Sequence, residues 1–340
     1  MVINHIPAMA SKIKSWVHEN IFACVLALVV GTIMVAPHVY FINELGENYH
    51  GIYMLESDAE LHYLARVREF VDGNSYGNPY IYDFKDNVPT TFFTLGEGLL
   101  ALPSIIFDIS VVNMNLIYKF ILPVLLTVLI YAFFRRLGFD KKYSIAGTSL
   151  IILGHALLYW PSLLAFLRLE PIAQQFSLYA RPVNPQLSSV FFFGYLHLSL
   201  SALNSKKWKD FILMGILFGG AFYIYFYSFT FIAAFNATLF LILLISKQKH
   251  LALKVVCATL IGIAIGLPAI KALVDLQTHP YFPELGEYLS VNSTHAPLIG
   301  ISYVLTLLVF LIYFFKSDKK PKLYILLALL STMLVVTNQQ

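Results

Sequence analysis

The sequence predicts an all-α fold: a polytopic transmembrane bundle of about nine spanning helices with one large extracytoplasmic loop near its start. Three observations carry this prediction. Of the 340 residues, 58% are hydrophobic and only 12% charged, against the roughly 25% charged that is usual in soluble domains. Apolar runs of about 17–25 residues recur along the chain, the length that crosses a hydrocarbon core as a helix, whereas barrel strands run to about 9–11 residues with alternation. The basic residues sit in short clusters between these runs, as the positive-inside bias places them. The net charge of +4 is therefore a topology signal rather than a nucleic-acid surface.

Residues 1–20, with Lys12 and Lys14, precede an apolar run at 21–41. No small-residue cleavage site follows that run, so it reads as an uncleaved signal-anchor and first span, with a cytoplasmic N-terminus. An extracytoplasmic loop occupies 42–111, and the remaining eight spans lie within 112–336. They are expected at 112–134, 143–160, 185–203, 210–226, 228–246, 253–272, 297–315 and 321–336. The fifth and sixth form a tight hairpin, because 210–246 is too long for one crossing and both its flanks are basic. The groups Arg135/Arg136/Lys141/Lys142, Lys206/Lys207/Lys209, Lys247/Lys249/Lys254 and Lys316/Lys319/Lys320/Lys322 fall at every second connection and mark one cytoplasmic face.

The first outside loop is acidic, with Glu44, Glu47, Glu56, Asp58, Glu60, Glu69, Asp72, Asp83 and Asp86. Its apolar segment 97–110 is too short to span, and parity forbids it, so an interfacial helix is expected there. Cys24 and Cys257 fall inside spans and are not placed for a disulfide. The whole chain, 1–340, reads as a single membrane domain without internal repeats, and its stop just past the last span predicts a further C-terminal portion.

Long connections are usually functional or disordered, and this loop carries many Tyr and Phe residues to bury. Within it, residues 56–66 read as a helix start. Ser57 is the cap, and Glu60 three residues on completes a capping box. Leu61, Leu64, Arg68 and Val71 are expected to form one stripe, and Asp58, His62, Arg66 and Glu69 another. Acids in a first helical turn are ordinary and Glu60 has a capping role. What singles out Asp58 is its position just beyond the first span in the one large loop.

At this point the pattern resembles the GT-C superfamily of integral membrane glycosyltransferases. These include protein mannosyltransferases, oligosaccharyltransferases and lipid A aminoarabinose transferases. The residues that carry the resemblance are Ser57-Asp58-Ala59-Glu60-Leu61-His62-Tyr63-Leu64-Ala65-Arg66, Asp72-Gly73-Asn74, Asn78-Pro79-Tyr80 and Leu99-Leu100-Ala101-Leu102-Pro103. Arg135-Arg136-Leu137-Gly138, Gly215-Ile216-Leu217-Phe218-Gly219 and Tyr223-Ile224-Tyr225-Phe226-Tyr227 are also similar to the family. The chain departs from it in lacking an adjacent Asp-Glu pair and a Trp-Trp-Asp soluble domain, which leaves donor and acceptor undefined.

The resemblance implies transfer of a sugar from a polyprenyl-phosphate donor to a lipid, glycan or protein acceptor on the extracytoplasmic side. Inverting transfer needs a base at the acceptor hydroxyl and cations at the departing phosphate. It implies Asp58 as the base with Glu60 beside it, and His62, Tyr63 and Arg66 as donor contacts. Arg168 and Arg181 are candidates for the phosphate, which the guanidinium fork suits; the alternative is that they snorkel or pair with Glu170. Some relatives use a divalent cation at the aspartate; otherwise the sequence holds no clustered metal ligands.

Lys119 lies inside the second span and Lys271 at the outer end of the seventh, where each is either functional or snorkels. His155 and His197 fall within spans and read as satisfied inside the bundle. The aromatic run Phe222 to Phe229 lines a channel or forms an interfacial belt. Asn292-Ser293-Thr294 is a glycosylation sequon. Two other classes fit a polytopic bundle: a transporter or lipid flippase, and a non-catalytic lipid-binding relative. Charges at the interfaces rather than the midplane, and the lack of repeated halves, favour the transferase.

Overall fold

The computed structural model describes residues 15–51, 58–74, 95–158, 181–278, 280, 308, 311–312, 315 and 320–336. Among these, every regular element is helical. The long helices are α1 (Ile21–Leu45), α4 (Val111–Leu137), α5 (Lys141–Leu158), α6 (Ser188–Ser205), α8 (Phe226–Ile245), α9 (Lys249–Gln277) and α10 (Lys320–Val336). The shorter ones are α2 (Asp58–Val71), α3 (Leu95–Phe107) and α7 (Trp208–Ala221), and a π-type turn at Pro182–Leu187 leads into α6.

Among the described residues, five segments are long and apolar enough to cross a membrane: Ile21–Asn48, Val111–Leu137, Pro182–Ser205, Ser228–Ile245 and Lys249–Gln277. They coincide with the first, second, fourth, sixth and seventh expected spans. Their outward faces are apolar too. On α9, Leu253, Leu260, Leu267 and Val274 recur every seventh residue and are each more than half exposed. Such a stripe on a soluble protein would drive association; on a helix in lipid it is the solvated face.

The other expected spans fare differently. The third falls on α5, whose 18 residues open with Lys141 and Lys142 and fall short of that apolar character. The fifth stops early: α7 has 14 residues, about 21 Å of helix against a core of about 30 Å. The chain turns over residues 222–225, where Tyr225 is extended at φ −163°, and then enters α8. The hairpin is therefore present, with its bend a few residues earlier than expected. The ninth is the 17-residue α10, and the eighth lies almost wholly outside the described residues.

The chain divides into two compact units, Met1–Val71 with Leu100–Phe193, and Asp72–Leu99 with Gly194–Gln340. In the first unit α1 packs along α4, and α5, α2 and the Pro182–Leu187 turn pack on α4 as well. The buried face of α1 is Ala23, Ala27, Val30, Gly31, Met34 and His38, small residues at helical spacing that let the backbones approach. A Cβ at Gly31 would stand 2.7 Å from Val124 Cγ2 and 2.9 Å from the Phe120 carbonyl. Helix α4 starts on Ser110, whose hydroxyl accepts the Asn113 N–H at 3.2 Å, and stops at Gly138 in the left-handed region (φ +97°). At that end the Tyr131 hydroxyl donates to Asn20 Oδ1 at 2.7 Å, and Lys141 donates to the Glu19 carbonyl at 2.6 Å. The start of α1 and the basic turn 135–142 thus share one end of the unit.

In the second unit the closest pairing is α7 with α9, and α8 packs on both α9 and α10. Gly215 and Gly219 of α7 are covered by Ala258, Ile261 and Ile265 of α9, while Gly262 and Gly266 of α9 are covered by Phe218 and Phe222, a small-residue seam of the kind that holds membrane helices together. A Cβ at Gly215 would be 2.6 Å from the Ala258 carbonyl, one at Gly219 2.6 Å from Ile265 Cβ, and one at Gly266 2.6 Å from Phe222 Cδ2; Phe218 covers Gly262. The Gly215–Gly219 pattern therefore has a packing role. Polar groups are paired within the unit: Tyr195 donates to Asn236 Oδ1 at 2.5 Å, and Thr238 bonds the Ala328 carbonyl and Thr332 across α8 and α10. Lys254 donates to the Lys206 carbonyl at 2.6 Å and lies 5.1 Å from the Trp208 ring. Here too the basic connections share one end.

Candidate functional site

The described part of helix α2 runs Asp58–Val71, and the expected capping residue Ser57 falls outside the described residues. Asp58 and Glu60 stand in its first turn; their side chains lie outside the described residues as well. The stripes are placed differently from the expectation. Val67 is buried and packs with Tyr63, Leu64, Phe70 and Val71 against Leu100, Val111, Leu122, Val183 and Leu187. Arg68, expected in the apolar stripe, is exposed, as are His62 and Ala65.

Arg66, expected beside Asp58 and His62 on the polar stripe, is 7% exposed. The reason is Tyr63: the guanidinium lies 5.2 Å from the centre of that ring, and a cation over an aromatic face is favourable once desolvated. An aromatic residue one turn before an arginine thus carried the arginine inward. His62, Ala65 and Arg68 are the exposed positions of this stretch, and Glu69 is half-buried.

Two of the expected site residues meet. Tyr63 and Arg181 line one cavity with Leu64, Val67, Leu100, Met114, Asn115 and Tyr118. The elements explain the meeting. Arg181 caps the Pro182–Leu187 turn in an extended conformation (φ −89°, ψ 121°) and its carbonyl accepts the Gln186 N–H at 3.2 Å. That turn and α2 both pack on α4. The Tyr118 hydroxyl closes the cavity by donating to the Leu100 carbonyl at 3.1 Å. The cavity is only about 10 Å³, the least that holds one water, so it is too small for a sugar.

Asn115 and Tyr118 carry the polar side of this cavity and were not picked out from the sequence. The signal was available: Asn115 and Lys119 are polar residues four apart within an apolar span, hence on one helix face. Lys119 is fully buried (0% exposed), so it does not snorkel to the surface. His38 of α1 is buried to the same degree. Lys271 is exposed and forms an ion pair with Asp275, one turn on, which is a surface arrangement. In the aromatic run, Phe222 is buried and stacks on Phe229 at 4.3 Å between ring centres.

Arg168, Glu170 and the Asn292 sequon fall outside the described residues, as does the His155 side chain. Cys24 and Cys257 are unbridged. Among the described residues no group of three or more His, Cys, Asp or Glu gathers as metal ligands; with the Asp58 carboxylate outside that set, a divalent cation enters no step below. The sequence matches no protein-family model, and no curated protein is significantly similar to it.

Proposed function

We propose that the chain is a membrane glycosyltransferase of GT-C type that takes a sugar from a polyprenyl-phosphate donor, with Asp58 as the base. The observation that supports this best is that Tyr63 of the acidic-loop helix and Arg181 line one cavity. Asp58 stands five residues before Tyr63, about 7.5 Å along the helix axis. A base above a phosphate-binding cation is the order that inverting transfer requires: the acceptor hydroxyl loses its proton to the carboxylate as its oxygen attacks the anomeric carbon, and the lipid phosphate departs with the bonding pair.

Transfer from a radiolabelled polyprenyl-phosphate sugar in reconstituted vesicles tests the assignment. Asp58→Asn abolishes transfer with insertion and expression intact, and Arg181→Ala weakens donor use at unchanged topology. Full transfer by Asp58→Asn removes the aspartate from the mechanism.

A second reading, a transporter or flippase, is favoured by one observation: Lys119 and His38 are buried inside two packed spans, where ionisable groups often mark a translocation path. Uptake of labelled lipid or ion into protein vesicles that is lost in Lys119→Met, with no sugar transfer under any donor, selects this reading over the first.

A further inference from the structure

The turn between α4 and α5 builds a second concave surface, away from the Tyr63–Arg181 cavity. Gly138, left-handed at φ +97°, reverses the chain so that the Phe139 N–H returns to the Phe134 carbonyl at 3.2 Å. The two rings then pack edge to face with centres 5.7 Å apart. Gly147 leaves room for that wall, since a Cβ there would stand 2.8 Å from Phe134 Cζ. The result is a groove of about 650 Å³ lined by Phe134, Phe139, Tyr143, Ala146, Gly147 and Leu150, within the range of about 300–1,000 Å³ that small ligands occupy. Tyr143 is 69% exposed and Leu150 55%.

The charge around this apolar groove is one-sided. Residues 134–150 hold Arg135, Arg136, Lys141 and Lys142 against the single acid Asp140. Asp140 is committed to the helix start, its carboxylate accepting the Tyr143 N–H at 2.9 Å. Lys141 is turned to the Glu19 carbonyl and Arg135 to the Phe139 carbonyl. Arg136 and Lys142 are exposed, and Lys142 precedes Ala146 and Leu150 at i, i+4 and i+8, so its row continues the groove toward the basic end of the bundle.

We infer that this groove is a binding site for an anionic phospholipid: one acyl chain lies on Phe134, Ala146 and Leu150 while the phosphate headgroup meets Lys142. An acyl chain matches a groove without polar lining, and a phosphate matches a cation cluster whose acid is already engaged. The proposal rests on membrane insertion, which the five apolar segments support, and is independent of the transferase reading.

Native mass spectrometry of the full chain in mild detergent, after exposure to an equimolar mixture of phosphatidylglycerol and phosphatidylcholine, tests it. The wild type retains phosphatidylglycerol at least threefold over phosphatidylcholine. Lys142→Glu brings the ratio to about one, Ala146→Trp lowers retention of both lipids by filling the groove, and Leu260→Trp on the exposed face of α9 changes neither. Equal retention of the two lipids by the wild type overturns the proposal. So does Ala146→Trp with unchanged lipid, or an Ala146→Trp variant that converts a dimer to a monomer at constant lipid, which would assign the groove to a second copy of the chain. Tyr143→Ala, at an exposed wall, gives the same fall in retention without adding bulk and guards against misfolding of the tryptophan variant.

Discussion

Replacing Gly215 by alanine tests the α7–α9 seam at the point where the structure is least forgiving. The added Cβ falls 2.6 Å from the Ala258 carbonyl oxygen and 2.9 Å from Ile261 Cβ, whereas ordinary contact begins at 3.4 Å. A backbone oxygen cannot rotate away as a side-chain end does, so the two helices must separate by about 0.8 Å along the whole seam or tilt. Overpacking of this kind costs about 1–3 kcal/mol, which is roughly a 5- to 150-fold change in the unfolding constant. Gly220, on the same helix, provides the control, because a Cβ there meets nothing within 4 Å. Unfolding in mixed micelles with rising sodium dodecyl sulfate, followed by far-ultraviolet circular dichroism, reads the difference. Gly215→Ala lowers the unfolding free energy by about 1–3 kcal/mol, and Gly220→Ala leaves it equal or slightly raised, since alanine favours helix over glycine. Equal stability of the two variants would show that the seam has slack and refute the close-approach argument.

Other variants probe single contacts. Tyr195→Phe removes the buried bond to Asn236 and lowers stability by about 0.6–1.7 kcal/mol, the measured span for bonds between membrane helices; a Tyr195→Phe, Asn236→Ala cycle with no coupling would assign the bond no weight. Gly138→Ala forces an L-residue to φ +97°, costing about 1–2 kcal/mol, and is read as a lowered thermal midpoint in detergent. Asn20→Ala removes the acceptor for the Tyr131 hydroxyl and the donor to the Trp16 carbonyl, and lowers the midpoint by loosening the start of α1 from α4; an unchanged midpoint rejects the anchor.

What was legible in the sequence follows from what each feature depends on. Apolar runs near 25, 120, 195, 235 and 262 were readable because lipid demands a continuous apolar surface whatever the neighbours are. The basic clusters were visible as well, and in each unit one of their lysines, Lys141 or Lys254, tethers neighbouring chain ends. The end of α7 was not readable, because residues 222–226 are as apolar as the helix before them. Its stop is set by Phe222 and Tyr223 turning onto α9, where the Tyr223 hydroxyl donates to the Ile265 carbonyl at 2.7 Å. The Gly215 and Gly219 pattern was visible, but the side chains that fill it, Ile261 and Ile265, stand about 46 residues further along the chain, and only packing joins them.

The placement of α2 shows how far a charge pattern alone can mislead. Hydropathy puts Arg66 with Asp58 and His62, yet its guanidinium lies over Tyr63 on the buried side, because an arginine stem is apolar and its head can be satisfied by a ring. One face of the helix is thereby fixed to α4 through Val67 and Phe70, with Tyr63 at the Arg181 cavity. That fixation sets the other face as well. His62, Ala65 and Arg68 stay exposed on the remaining surface, so the sequence stripe that grouped His62 with Arg66 is split by one aromatic contact.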